Sequence, residues 1–251
     1  GRMSRVGFLR LLVVGGFVVA LEVLCRTGII SKLVLIAPSE MAMHLVRILT
    51  SRKADADILE SLTNVVMAVV LSVVGGFAIG AMIHSFPRLR RAIDPFLASY
   101  YALPFFAFYP LFIVLFGLGR GAIVAIGVLF GVVAMIISTL TAFDRIPRVL
   151  VRTASVYRMG PVEAALRVKL PSAVPFLFTG FKLAIAYAFI GVIAAEFIMA
   201  TSGLGYSISY AFNNFDNGTM YGLMLFVILL VTVVYACFHA WERRLLRRWG
   251  R

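Results

Sequence analysis

Charge is scarce in this chain. Only 14% of its 251 residues are Asp, Glu, Lys or Arg, against 62% hydrophobic residues and a mean hydropathy of +1.00. Soluble domains carry about a quarter charged residues, so that class is excluded. Acidic residues are scarcer still, 11 against 24 basic ones, for a formal net charge of +13. Cysteine is nearly absent: Cys25 and Cys237 lie near the ends of different apolar runs, in no CxxC, haem or zinc spacing. They are read as packing residues, not as a disulfide framework or redox pair. His44, His84 and His239 are scattered and HExxH is missing, so no metal site is expected. Neither GxSxG nor GxxxxGK followed by Ser or Thr occurs. No nucleotide site of that kind, no catalytic residue and no cofactor of its own is therefore expected for this chain. Strand-length alternation of polar and apolar residues is also missing, which excludes an outer-membrane barrel.

What remains is a series of apolar runs about 20 residues long, the length a helix needs to cross a hydrocarbon core of roughly 30 Å. Six are expected to span: Val6–Leu24, Ile58–Ile83, Phe96–Phe116, Ala122–Thr141, Phe176–Ala200 and Met220–Trp241. The fold class is an all-α integral membrane protein with six transmembrane helices. The first run follows Arg2, Arg5 and Arg10, but no small-x-small pattern follows it, so a retained helix is expected rather than a cleaved signal. Placing the N-terminus in the cytoplasm puts seventeen of the 24 basic residues inside and six outside, with Lys182 at the inner end of the fifth run. That bias predicts a multi-pass protein of the bacterial plasma membrane with both termini cytoplasmic. Basic residues beside anionic lipid account for the net charge, so the bilayer is a partner and nucleic acid is not.

Within this frame a few residues stand out. Ser39 is expected to cap a short external helix whose Met41, Leu45, Ile48 and Leu49 share one face, as in an interfacial helix. Glu22, near a span end, can reach the interface. Glu196 lies four residues before the polar "TSG", and a carboxylate at that depth is costly enough to imply protein or water around it. "GFAIG" (Gly76–Gly80) and "GVLFG" (Gly127–Gly131) predict close helix packing. Pro104 and Pro110 in "ALPFFAFYPLF" predict a kinked third span near a pathway or moving seam.

The segment 142–175 is basic and punctuated by proline. Pro147–Tyr157 reads as a helix with Arg148 and Arg152 on a wet face and Leu150, Val151 and Ala154 on a drier one. Met159-Gly160-Pro161 stops it, and Pro161 can start a second helix in which Glu163 and Arg167 form an i,i+4 pair. Two short helices at an angle make a protruding cytoplasmic knob.

From about Ser61 to Trp249 the chain resembles the permease subunits of bacterial ABC importers, in the nitrate, sulfonate and taurine branch. The resemblance is carried by "SLTNVVMAVVLSVVGGFAIGAMI", "DPFLASYYALPFFAFYPLFIVLFGLG", "LPSAVPFLFTGFKLAIAYAFIGVIAAEF" and "SGLGYSI", in the family's order and spacing. It implies a type I ABC-importer permease core without its own ATPase site. Partners implied are two cytoplasmic ATPases holding ATP and Mg, a second permease copy in a homodimer, and an external solute-binding protein. The organisation implied is an N-terminal helix and external segment (1–57), a transmembrane domain (58–241) with a coupling loop (142–175), and a basic tail (242–251). Counting back from Leu170-Pro171 places the family's coupling glutamate at Arg152, its alanine at Ala154 and its glycine at Arg158. The literal "EAA" at Glu163–Ala165 is then a coincidence. The expected ATPase contact is Arg152, Ala154, Tyr157, Arg158, Met159, Gly160 and Pro161. Tyr101, Pro104, Phe105 and Glu196 are expected at the pathway or gate. Asn64 stands where an arginine is common, and Arg120 where an acid often follows "GLG". The family points to a small organic or inorganic anion, such as a sulfonate, nitrate or carboxylate. A self-contained secondary carrier and a scaffold without flux are the alternatives.

Overall fold

The computed structural model describes residues 5–249, the side chains of 5–8, 10–11, 161–162, 166 and 246–249 excepted. Among these residues the chain is helical and carries no strand. In order come α1 (Arg5–Arg26), α2 (Pro38–Ser51), α3 (Asp55–Ser85), α4 (Pro87–Ser99), α5 (Tyr109–Phe116), α6 (Arg120–Asp144), α7 (Arg148–Val156), α8 (Pro161–Ala164), α9 (Leu170–Met199), α10 (Leu204–Asn213) and α11 (Asn217–Trp249). Four helical stretches are long and apolar enough to cross a membrane: Asp55–Ser85, Arg120–Asp144, Arg167–Met199 and Asn217–Leu245. The first expected span coincides with α1, several of whose side chains lie outside the described residues.

Helix α6 is the centre, clasped between α3 and α9. Ala68, Ala122, Ile126, Ala184, Ala188, Val192 and Ala195 are fully buried there. Small residues dominate because lipid tails are as apolar as a core, so association depends on close backbone approach. The two glycine pairs supply it as expected. A Cβ added at Gly76 would stand 2.6 Å from Met135 Cβ, and one at Gly131 would stand 2.7 Å from Ser72 Oγ and 3.0 Å from the Ala184 carbonyl oxygen. The first pair thus seats α3 on α6, and the second is wedged between α3 and α9.

The third span departs from the expected kink. Segments Pro87–Ala102 and Phe105–Phe116 meet at 89°, with the chain broken at Leu103-Pro104. Pro110 does not contribute to the bend: it sits in the first turn of α5, where its missing N–H has no intrahelical acceptor anyway. Gly117 (φ +77°) and Gly119 (φ +125°) then turn the chain into α6 through backbone conformations that L side chains rarely adopt.

Two further expectations are corrected in detail. Helix α2 starts at Pro38, with Ala37 as its cap residue, so Ser39 lies inside the first turn. Its exposed backbone donor is satisfied from another helix: Ser39 N–H and Oγ donate to the Glu22 carboxylate at 3.0 and 2.6 Å. Glu22 therefore joins α1 to α2. The Leu45 face of α2 packs on α11, where His44 and Ile48 fit over Gly218 and Gly222. The second short helix of segment 142–175 also does not stand alone. Helix α8 continues through a widened π turn, Ala165–Lys169, directly into α9. That turn immediately precedes Pro171, whose ring would clash with the carbonyl four residues back in a regular helix, and widening relieves the clash.

Candidate functional site

At the end of the molecule that carries α10, Asp57, Ser61 and Asn64 form a polar stripe on the first turns of α3, one turn apart. They face the end of α9 and the start of α10. Glu196, on the last turn of α9, is fully buried. Ser61 Oγ donates to its Oε2 at 2.5 Å, Gly205 N–H donates to Oε2 at 3.1 Å, and Asn64 Nδ2 donates to Oε1 at 3.0 Å. Ser61 Oγ also accepts from Leu204 N–H at 2.7 Å, while Asp57 accepts from Gly203 N–H at 2.9 Å and from Ser207 Oγ at 2.5 Å. The first donors of α10 are thus satisfied by side chains of two other helices, which also places acidic groups at its positive end. Glycine is required twice here. A Cβ at Gly203 would lie 2.6 Å from the Glu196 carboxylate, and one at Gly205 would lie 2.4 Å from the Ile193 carbonyl oxygen. Beside this network Arg120 Nη2 donates to Glu60 Oε2 at 2.7 Å, joining α6 to α3. The Asn64 and Arg120 departures from the family pattern therefore both have partners in this chain. The stripe of Asp57, Ser61 and Asn64 at helical spacing was the signal available in the sequence, and reasoning from single motifs missed it.

Nearer mid-span, the 89° break lies against an aromatic wall. Tyr101 stacks on Tyr187 of α9, with ring centroids 5.0 Å apart, and Phe105 meets Tyr100 at 4.6 Å and Phe130 at 5.8 Å. Tyr100 Oη donates to the Leu129 carbonyl at 3.0 Å, so the wall is pinned to α6. Pro104 is exposed at the break. Tyr101, Pro104 and Phe105 thus come together, but Glu196 does not join them: it sits nine residues beyond Tyr187, about 13 Å farther along α9.

At the opposite end, α7 closes with a left-handed cap. Arg158 has φ +51°, its N–H donates to the Ser155 carbonyl at 3.0 Å, and Met159 N–H donates to the Ala154 carbonyl at 3.0 Å. That paired pattern is the Schellman motif, and its left-handed position is the one glycine usually fills. Ala154 is the one buried residue of α7. It faces the protein's own interior, whereas Arg152, Tyr157 and Gly160 are exposed and Met159 is half-buried. Val149, Val156 and Tyr157 each expose 72% or more of their surface. Pro161 begins α8, its side chain outside the described residues. Glu163 and Arg167 form the expected pair at 2.8 Å, both accessible. Among the described residues no group of three His, Cys, Asp or Glu could hold a metal.

A central α6 gripped by α3 and α9, a sharply broken span and a knob of short helices between α6 and α9 together define the core of a type I ABC-importer permease, a multi-pass membrane protein. The chain belongs to the family described as "Binding-protein-dependent transport system inner membrane component", whose model matches residues 61–251. Among relatives, it is 26% identical over 198 residues to the nitrate import permease protein NrtB of Synechococcus elongatus, covering 78% of this chain and 71% of the relative. It is 31% identical over 159 residues to the riboflavin transport system permease protein RibX of Chloroflexus aurantiacus, covering 63% and 59%. It is 30% identical over 153 residues to the taurine transport system permease protein TauC of Escherichia coli, covering 60% and 55%. A chain of the MetNI methionine ABC transporter, solved in inward-facing form, superposes with a TM-score of 0.65 at 18% identity, covering 84% of this chain and 98% of that one.

Proposed function

We propose that two copies of this chain enclose the pathway of an ATP-driven importer for a small solute, with both termini in the cytoplasm. Two cytoplasmic ATPases, carrying ATP and Mg, drive it, and an external binding protein delivers the solute. A symmetric pair is the simplest closed arrangement that places one pathway at a shared seam. An organic or inorganic anion is the proposed solute class, supported by relatives named for nitrate and taurine. The coupling loop is 142–175, and its ATPase contact is centred on Arg152–Pro161, not on Glu163. The observation that carries this reading is Arg158: the residue at the family's glycine position, by the count from Leu170-Pro171, adopts the left-handed conformation that glycine serves. The pathway group is Tyr101, Pro104 and Phe105 at the break, with Glu196 holding the outer gate in shape.

Force from hydrolysis on another chain must cross a protein contact and move the spans as stiff bodies. Helix α8 is continuous with α9 through the π turn, so a push on the knob is delivered into a span whose far end carries Glu196. The testing experiment is purification of the chain with its ATPase and reconstitution with the binding protein. A complex of two permeases and two ATPases, with uptake that requires ATP and the binding protein, is the expected result. Uptake driven by an ion gradient without an ATPase would instead establish a self-contained carrier, and absence of any flux a scaffold.

A further inference from the structure

A cavity of about 550 Å³ opens on the flank of the protein between α3, α6, α9 and α11, walled by Val73, Phe77, Met135, Val174, Phe178 and Trp241 among others, all of them apolar. The wall residues come from the second halves of α3 and α6 and the first half of α9, so the cavity lies at the depth of the leaflet on the α7 side. At that depth the surrounding medium is hydrocarbon. A second cavity, of about 580 Å³, shares Phe77 and Leu170 with the first and continues it toward α7. Its wall adds His84, Ser85 and Lys169 to the apolar residues. His84 Nδ1 is buried without a hydrogen-bond partner. The nearest acid, Asp144, lies 3.6 Å from it and already accepts two hydrogen bonds from Arg90, at 2.6 and 2.5 Å. Lys169 is exposed. The groove therefore runs from a wholly apolar end to an end with a lysine ammonium and an unpartnered imidazole nitrogen, the Ser85 hydroxyl there already donating to the Ala81 carbonyl.

We propose that this groove is a binding site for a phospholipid of the leaflet on the α7 side. One acyl chain lies in the apolar cavity against Phe178 and Trp241, and the phosphate is held at the other end by Lys169, with His84 as a further polar partner. Charge complementarity favours an anionic headgroup, as in other basic pockets between helices at a membrane face. The assignment does not depend on what the protein transports.

The test uses the intact transporter in phosphatidylcholine nanodiscs containing a trace of phosphatidylglycerol with a photoactivatable diazirine on one acyl chain. Peptides containing 73–78 and 170–181 should be labelled several-fold more than the lipid-exposed middle of α1. Ala78→Trp, which fills the apolar cavity, should reduce groove labelling several-fold and leave the α1 label unchanged. Lys169→Gln should reduce labelling by the phosphatidylglycerol probe several-fold while a phosphatidylcholine probe labels as before. Should Ala78→Trp fail to fold, the exposed Lys169→Gln decides the matter. Equal labelling of groove and α1, labelling indifferent to Lys169→Gln, or a cross-link between the groove and α1 of a second copy would overturn the proposal.

Discussion

The two ends of this molecule are finished to different degrees. At the α10 end the donors aimed at Glu196 find their acceptor within the chain, Asp57 and Ser61 satisfy the first backbone donors of α10, and Asn64 Oδ1 is left without a partner. At the opposite end α7 and its cap bury one alanine and leave valines, a tyrosine and arginines exposed. A network that closes nearly all of its hydrogen bonds within the chain serves the chain's own geometry, while an exposed apolar and basic surface is the kind that a partner covers. On the proposed function, with α7 inside, the outer α10 end acts as a joint and the inner α7 end as half of an interface.

Overpacking the inner end should give the largest effect. Ala154→Trp forces α7 away from the body, at about 1 to 3 kcal/mol or more for a filled site. Binding-protein-stimulated hydrolysis and co-purification with the ATPase should drop by at least an order of magnitude. Unchanged coupling would show that α7 is not the half-interface described above.

Breaking the joint should come next. Glu196→Gln keeps the volume but replaces an acceptor-only group by one that must also donate, facing Ser61, Asn64 and Gly205 donors. One buried group left unsatisfied costs about 1 to 3 kcal/mol. Assembly should survive and uptake should slow several-fold, with a lowered unfolding temperature. If uptake and melting were both unaltered, the outer end would not be a joint.

A smaller effect should follow from Arg120→Ala. Its pair with Glu60 is accessible, with 47% and 29% of the side chains exposed, so the loss should be within about 0.2 to 1 kcal/mol and shrink with salt. Melting at low and high ionic strength measures it. A large, salt-independent loss would extend the joint to α6.

The smallest effect should be that of Glu163→Ala, which removes one exposed i,i+4 pair of about 0.3 to 0.5 kcal/mol. Hydrolysis and uptake should stay near the parent values. Loss of coupling here, with Ala154→Trp indifferent, would move the interface to the literal "EAA".

Much of this was legible from local pattern. Five of the six apolar runs, the glycine pairs and the stop at Met159-Gly160-Pro161 are read within a dozen or two residues, and each appears as a helix, a close contact or a helix end. The sharpness of the bend was not legible, because proline announces a break without its angle: Pro104 lies at one, and Pro110 merely starts a helix. Nor was the inward direction of Ala154, since the drier face of a nine-residue helix does not say which chain will cover it.

The sequence by itself determined that this is a membrane protein, where its long apolar helices run, and that a basic knob interrupts them, because hydrophobic length and periodicity act over one helix at a time. Only the tertiary structure decided what each intramembrane polar group is for. Glu196 meets Ser61 and Asn64 across 135 and 132 residues of chain, and Lys182 meets Glu242 across 60. In a medium that offers no water, a polar side chain is settled by whichever helix arrives beside it, and that depends on the packing of all of them together.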